Sequence, residues 1–282
     1  MDAGDVEPGR LTADVTMVPV PDEVVMERMT WRQIEAAIAS GKTTALLNAG
    51  AIEQHGPHLP TATDTLIGEA VTERAARVLG NALVAPSVRP ALSAHHLGFP
   101  GTLAIEFGTF VDILTQMVRG LADAGFRNIA LLSSHGGNVD IMLAHTPTIA
   151  RSVAERADVF MISSLEGYIR QAQEVLEQEG IPRPRAGVHA GYAETSMMLY
   201  LHPDLVDVAS FEPGLVDEVF YRPENLKRSQ LASFTYGVRS QSPNGVLGDP
   251  RGANAEVGRR LVDLQVQGTV DAIRIYLGDR HA

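Results

Sequence analysis

Short apolar runs alternate with longer amphipathic stretches along most of this chain. Thr44–Ala49 (TALLNA) and Asn128–Ser133 (NIALLS) are almost wholly apolar, which is typical of strands buried on both faces of a sheet. Ala82–Ala85 and Asp158–Ser163 have the same character. The pattern therefore predicts four short, buried strands.

Helical periodicity fills the segments between these strands. From Phe110 to Leu121 the apolar residues follow the i, i+3, i+4, i+7 spacing of an amphipathic helix, and Gly125 supplies a stop signal. Over residues 203–252 the hydrophobic pattern indicates secondary structure only weakly. Related patterns predict further helices over residues 31–40, 64–79, 139–154, 167–180, 189–202 and 254–277.

Repeated strand-then-helix units imply parallel strands, because parallel strands need crossover connections that helices usually supply. We expect an α/β fold with three α/β/α layers and a mainly parallel central sheet. No linker divides the chain, so residues 25–282 are expected to form a single domain. Residues 1–24 lack periodicity and are expected to form an extended arm.

Composition and charge narrow the classes of function. The chain has 282 residues, 45% hydrophobic and 20% charged, which is ordinary for a globular protein. Its 23 Lys and Arg against 34 Asp and Glu give a net charge of −11 without a basic cluster, so we expect no nucleic-acid partner. Neither an export signal nor a membrane-length apolar run is visible, so we expect a cytoplasmic enzyme without membrane contact.

Candidate metal ligands follow the first predicted strand. The chain lacks cysteine, so a metal ion must be held by histidine and carboxylate side chains. Glu53 and His55 are two residues apart and face the same way if the segment is extended, and His58 follows. Asp64 stands where the next helix starts, so its carboxylate either caps that helix or bridges two cations.

A second candidate segment follows the third predicted strand. His135 begins a strand, Gly turn and helix junction, which is where open α/β sheets place ligands. Gly136 and Gly137 suit a positive-φ turn, or a close approach of backbone N–H groups to a ligand, and these interpretations are compatible. Asn138 follows them at the start of the predicted helix.

An irregular stretch, residues 86–108, holds two more histidines, His95 and His96. Its prolines and glycines exclude a regular element, and Leu97 and Phe99 are too apolar for a free surface loop. We therefore expect a functional loop.

His189 and Glu194 lie at the start of another predicted helix. If the helix begins only at Gly191, His189 lies in the preceding loop and can point at a ligand. The alternative interpretation of His189 is an ordinary structural histidine. Glu53, Asp64 and Glu194 with His55 and His135 make a nitrogen and oxygen donor set suited to Zn, Mn or Fe.

Five motifs resemble the creatininase (creatinine amidohydrolase) family over roughly residues 25–275. They are AGAIEQHGPHLPTATD at 49–64, FPGTL at 99–103, SSHGGN at 133–138, HAGYAETS at 189–196 and GDPRGANAEVGRRL at 248–261. Creatininase itself has a Tyr and a Glu where this chain has Gly136 and Gly137. This departure places the chain in an HGGN-containing branch and argues against creatinine as its substrate.

The resemblance implies two divalent metal ions per chain, with Asp64 bridging them and Glu194 completing the shell of the second. It also implies a homo-oligomer, often a hexamer. His95 stands where relatives often have Glu. We expect a further set of residues to bind the small-molecule substrate or to support the ligands, namely His58, His95, His96, Gly136, Gly137 and Asn138.

The expected reaction is hydrolysis of a C–N bond in a small cyclic amide, a formamide or a related amide. Metal-activated hydroxide would attack the carbonyl carbon, and His189 would protonate the leaving nitrogen. Glu194 can act instead if it is not a ligand. HGGN-containing relatives also include formamide hydrolases, a peptidase that trims the mycofactocin precursor and enzymes that open ring ketones, so the substrate stays open.

Two other classes are weaker interpretations. A dinuclear phosphoesterase would use the same donor types but needs cations for the phosphate, and the motif loops hold few besides Arg89. A metal-binding protein without turnover is disfavoured because no ligand position has been lost.

Overall fold

A parallel sheet forms the centre of the molecule. The computed structural model describes residues 22–162, 165–222 and 224–278. The strands are β1 Thr44–Ala49, β2 Ala82–Val84, β3 Asn128–Ser133 and β4 Asp158–Met161, and they form one sheet in the order β2-β1-β3-β4. Every neighbouring pair in it is parallel. The predicted sheet is confirmed.

One α-helix of the described chain precedes the first strand, and the others connect the strands or follow the last of them. None of the described helices is both long and apolar enough to cross a membrane. Their bounds are α1 Trp31–Ala39, α2 Thr63–Leu79, α3 Phe107–Ala124, α4 Gly136–Arg151, α5 Leu165–Gln178, α6 Arg183–Ala186, α7 Tyr192–Leu201, α8 Leu226–Tyr236 and α9 Ala255–Gly278.

The strand order explains the three layers. The connection from β1 through α2 to β2 runs one way along the sheet, whereas the connections through α3 and α4 run the other way. Right-handed crossovers therefore place α2 on one face and both α3 and α4 on the other. The contacts agree, because α2 packs against α9 and α3 against α4. The predicted α/β/α architecture is confirmed.

The reversal of direction leaves a crevice beyond the carboxyl ends of β1 and β3. In open α/β sheets this switch point is where ligands bind. The loops that carry the predicted ligands leave the sheet at these two strand ends. The sheet order therefore brings those loops together.

Two hydrophobic clusters surround the crevice. The first lies against the sheet and includes Leu46, Phe110 and Leu131. The second includes Ile67 on α2 and Met197 on α7. The second cluster holds α2 and α7 together, and both helices carry predicted ligands.

Some elements differ from their predicted bounds. Helix α8 was not predicted, because its large apolar side chains do not form a stripe facing the core: Leu231 is 65% exposed and Tyr236 is 75% exposed. Helix α3 begins at Phe107, before the first residue of its apolar pattern. Strand β4 ends at Met161, and Ser163 lies outside the described residues.

Most of the predicted N-terminal arm, residues 1–21, also lies outside the described residues. The described end of this segment lies against the sheet edge. Val24 is buried, and its carbonyl oxygen accepts a hydrogen bond of 2.8 Å from the backbone N–H of Val84 in β2. Val24 is thus part of the packed domain.

The close packing of α7 against α9 gives a stability prediction. A Cβ at Gly258 would lie 1.8 Å from the carbonyl oxygen of Ser196, so Gly258→Ala must separate the two helices. We expect this substitution to lower the free energy of unfolding by about 3 kcal/mol, since overpacking of this kind forces backbone shifts. Chemical denaturation measures the change.

Gly120→Ala is the matched control, because Gly120 is in α3 and a Cβ there would have no neighbour within 4 Å. This variant should gain roughly 0.5–1 kcal/mol from helix propensity. Equal effects of the two substitutions would contradict the close packing of α7 on α9.

Candidate active site

Predicted ligands from separate loops meet at the switch point. Glu53 and His55 follow β1, Asp64 lies in the first turn of α2, His135 follows β3 and Glu194 lies in the first turn of α7. The first four are at most 5% exposed. The structure therefore brings the five predicted ligand residues into one cluster.

Asp64 lies between two histidines. Its Oδ1 is 3.3 Å from Nε2 of His55, and its Oδ2 is 3.2 Å from Nδ1 of His135. The N-cap of α2 is Ala62, so the Asp64 carboxylate does not cap the helix. Each carboxylate oxygen therefore faces a different half of the cluster.

The other two carboxylates complete these halves. Oε1 of Glu53 is 3.3 Å from Nδ1 of His135, and Oε2 of Glu194 is 3.8 Å from Nε2 of His55. One half is formed by Glu53, Asp64 and His135, and the other by Asp64, His55 and Glu194. Each half offers two carboxylates and one imidazole.

Backbone carbonyls fix the rings of both histidines. Nδ1–H of His55 donates to the carbonyl oxygen of Glu53 at 3.1 Å, and Nε2–H of His135 donates to that of Leu92 at 3.3 Å. The remaining nitrogen of each ring then faces the carboxylates. Hydrogen bonds of this kind orient histidine ligands in metal sites.

The polar atoms in the cluster fit a metal site. Among the described residues, Oε2 of Glu53, Nε2 of His55 and Oδ2 of Asp64 are buried without a partner in hydrogen-bonding geometry. Buried polar atoms without partners are costly and rare in folded proteins. A cation would satisfy all three, and nitrogen and oxygen donors without sulfur suit Zn, Mn or Fe.

Without cations, protons balance the buried carboxylates. Burial acts to lower the pKa of His55, but Asp64 and the neighbouring carboxylates outweigh it and raise this pKa to about 10. Burial also opposes protonation of His135, yet Glu53 and Asp64 raise its pKa well above the ordinary value. Both rings are therefore in the cationic form, with a proton on each nitrogen, near neutral pH in the metal-free protein.

Gln54 is a site residue that the sequence interpretation missed. Its Oε1 accepts a hydrogen bond of 2.9 Å from the backbone N–H of Gly56, and its Nε2 donates to the carbonyl oxygen of Gly245 at 3.2 Å. These two backbone groups fix the orientation of the amide. In an extended segment, Gln54 would face away from the side on which Glu53 and His55 lie, so the sequence pattern offered no signal for its role.

The Gln54 amide in turn fixes His96. Nε2 of Gln54 lies 2.8 Å from Nδ1 of His96, so Nδ1 accepts and the ring proton resides on Nε2. That Nε2 is 3.4 Å from Oε1 of Glu53. His96 therefore presents an N–H group to Glu53, whereas His55 and His135 direct lone pairs at the cluster when they are neutral.

His189 lies in the loop before α7, which begins at Tyr192. Its Nε2–H donates to the carbonyl oxygen of Gln54 at 2.7 Å, and its Nδ1 is 3.7 Å from Oε1 of Glu53. Burial, followed by His55 and His96, lowers its pKa well below the ordinary value. His189 is thus neutral near pH 7, with a lone pair directed at the cluster.

A strained backbone positions Glu194. The N–H of Ala190 donates to Oε2 of Glu194 at 2.5 Å. Ala190 has φ = 51°, and within the described ranges it is the only non-glycine residue with positive φ. Such strain is often found at functional sites. Burial raises the pKa of Glu194 to about 7, with His55 opposing the shift and Asp64 adding to it.

Two further residues of the predicted set have supporting positions. His58 is buried, and its Nε2 lies 2.9 Å from the hydroxyl of Thr195 on α7. Asn138 donates to the carbonyl oxygen of Gly50 at 2.9 Å and accepts from the N–H of Leu92. Neither side chain lines the cavity at the cluster. Both hold the loops that carry the ligands.

The remaining three residues of the set line the cavity. His95 lies near the rings of His96 and His135, with centroids 4.2 and 5.8 Å away. Gly136 and Gly137 do not have positive φ. A Cβ at Gly137 would lie 2.4 Å from Nε2 of His135, so the close approach is to this ring.

The cavity has a volume of about 370 Å³, which is within the range of small-molecule sites. The cluster forms one part of its wall, through Glu53, Asp64, His135, His189 and Glu194. The site therefore combines a buried donor cluster with room for a small substrate.

The Gln54 geometry predicts the tautomer of His96. In the native protein we expect the proton on Nε2. Gln54→Glu cannot donate, so Nδ1 of His96 should become the donor and the tautomer should reverse. Gln54→Leu neither donates nor accepts a hydrogen bond, so it should leave a mixture of the two His96 tautomers. Nitrogen-15 spectra of histidine-labelled protein, assigned with His96→Gln, report the tautomer, and an unchanged tautomer in Gln54→Glu would refute the arrangement.

Comparison with known proteins agrees with this arrangement. A family model described as creatinine amidohydrolase matches residues 27–273. The chain is 33% identical over 242 residues to a mycofactocin precursor peptide peptidase of Mycolicibacterium smegmatis, covering 84% of this chain and 86% of the relative. It is 29% identical over 261 residues to a creatinine amidohydrolase of Pseudomonas putida, covering 89% of this chain and 96% of the relative.

The fold is also similar to that of solved creatininase structures. A manganese form of creatininase superposes with a TM-score of 0.74 at 27% identity, covering 90% of this chain and 98% of the other. The family model covers most of the chain, and the curated relatives are hydrolases. The chain belongs to the creatininase family of hydrolases.

Proposed function

We propose that this hydrolase depends on two divalent metal ions and cleaves a C–N bond in a small cyclic amide, a formamide or a related amide. The observation that carries the proposal is the position of Asp64, whose two oxygens face His55 and His135 in separate halves of a buried cluster. A carboxylate shared in this way suits two adjacent cations.

Each half of the cluster would hold one cation. Glu53, Asp64 and His135 would be the donors for the first, and Asp64, His55 and Glu194 would be the donors for the second. When bound, divalent cations make water nucleophilic near neutral pH and polarise a carbonyl group. Zn, Mn and Fe suit these donors, and one of the similar solved structures is a manganese form of creatininase.

His189 is the proposed proton carrier. Its Nδ1 faces the cluster with a free lone pair, because its Nε2–H is held by the carbonyl oxygen of Gln54. A neutral imidazole in this position can accept a proton from the attacking water and return it to the leaving nitrogen. Glu194 is the alternative carrier, since its pKa is raised to about 7.

A second candidate function is cleavage of a peptide bond. It is favoured by the similarity to the mycofactocin precursor peptide peptidase, which is 33% identical. Hydrolysis of a peptide or of a small amide needs the same steps at the cluster. The two functions therefore differ in the rest of the substrate, and a panel of lactams, formamides and short peptides distinguishes them.

The panel also tests metal dependence. We expect turnover of at least one lactam or formamide, lost after chelation and restored by Mn or Zn. Asp64→Ala should lose both turnover and the roughly two bound ions, since a bridging carboxylate serves both. Asp204→Ala removes an exposed carboxylate and is the control that should keep both. Turnover of peptides alone would favour the second candidate, and metal-independent turnover would contradict both.

The roles of His189 and Glu194 can be separated by metal content. We expect His189→Asn to keep both ions and to reduce turnover by roughly 10²- to 10⁴-fold, the usual contribution of a general acid or base. Glu194→Gln should lower metal content as well as turnover, because a neutral amide is a poor ligand for these ions. Elemental analysis measures the metal content of each variant, and kinetics measures its turnover. If His189→Asn lost metal while Glu194→Gln kept it and lost only turnover, the two roles would be exchanged.

A further inference from the structure

Helices α2 and α7 each continue from the cluster with apolar side chains on the same face. On α2, Ile67 and Val71 lie three and seven residues after Asp64. On α7, Met197 lies three residues after Glu194. Residues at these spacings share one side of a helix. The lining of the cavity at the cluster includes all of these residues, namely Asp64, Ile67, Val71, Glu194 and Met197.

These side chains line an apolar part of the cavity inside the domain, which we call the channel. Val71 is 6% exposed and Met197 is 1% exposed, and both belong to the second hydrophobic cluster. Ala172 and Leu176 of α5 belong to the same cluster and line the same cavity. At 1.5 Å per residue, the seven residues from Asp64 to Val71 contribute about 10 Å of α2 to the channel wall.

The described part of the channel wall offers no charge to a ligand. Among the described residues, no Lys or Arg lines the cavity, and its carboxylates are those of the cluster. The lining also includes neutral polar side chains, among them Gln173, Gln265 and Thr269. A charged group beside these described side chains would lack a charged partner among them, which costs far more than burying an apolar group.

We propose that the substrate carries an uncharged, mainly apolar arm, which binds in this channel while its scissile amide lies at the cluster. This inference rests on the proposed function, because the metal end anchors the ligand. It selects an amide extended by an aliphatic or aromatic group over a small, fully polar ring. An apolar arm would fill space that protein interiors rarely leave empty.

Alkyl hydroxamates test the proposal, since the head group chelates metal ions and the chain length can vary. Calorimetry with the metal-loaded full chain measures the dissociation constant from acetohydroxamate to octanohydroxamate. We expect affinity to rise by about fourfold for each added methylene until the channel is full. A hydroxamate of equal length ending in an amine or a carboxylate should bind at least about 100-fold more weakly than its alkyl counterpart.

Two variants of α2 locate the effect. Val71→Phe narrows the channel and should bring the affinity ratio of octanohydroxamate to acetohydroxamate close to one. Val78→Phe is the matched control on the same helix, because Val78 is 53% exposed, and it should keep the native ratio. If Val71→Phe does not fold, the charged-tail comparison in the native protein still tests the channel.

The outcomes separate the two levels of the argument. Acetohydroxamate binding without any gain from chain length would overturn the apolar arm and leave the metal site intact. Failure of the metal-loaded protein to bind any hydroxamate would instead contradict the proposed function, and the arm with it.

Discussion

Buried carboxylates need positive charge close by, and the arrangement of this site follows from that requirement. Glu53, Asp64 and Glu194 converge at one end of the sheet, where leaving an anion without a partner would cost several kcal/mol. In the metal-free protein, protonated His55 and His135 supply the charge. Cations bound at the same positions would replace these protons, so one geometry serves both states.

The fold meets this requirement with few elements. Because β1 and β3 are adjacent while their crossovers run in opposite directions, the loops after them converge at the switch point. Helices α2 and α7 begin at the same point, and the contact of Gly258 with Ser196 holds α7 against α9. Their apolar faces continue away from the charge, which gives the site a polar end and an apolar channel.

Much of this arrangement could be predicted from the sequence. The strand runs and the strand–helix alternation indicate the parallel sheet, and the period of two in an extended segment explains why Glu53 and His55 reach the same cluster. The role of Gln54 could not be predicted, because its partners His96 and Gly245 lie 42 and 191 residues away. Helix α8 could not be predicted either, because its apolar side chains do not form a stripe that faces the core.

The most direct test of this account counts the protons that leave when metal ions bind. His55 and His135 are cationic at pH 7 and must each lose a proton to become ligands, and Glu194, whose pKa is about 7, must lose the part of its proton that remains. Loading the metal-free protein with Zn or Mn should therefore release about two to three protons per chain. Calorimetric titration in buffers of different ionisation enthalpy measures this number. Metal affinity should also rise with pH toward the His55 pKa of about 10. Binding of two ions without proton release, and with an affinity independent of pH, would contradict the account.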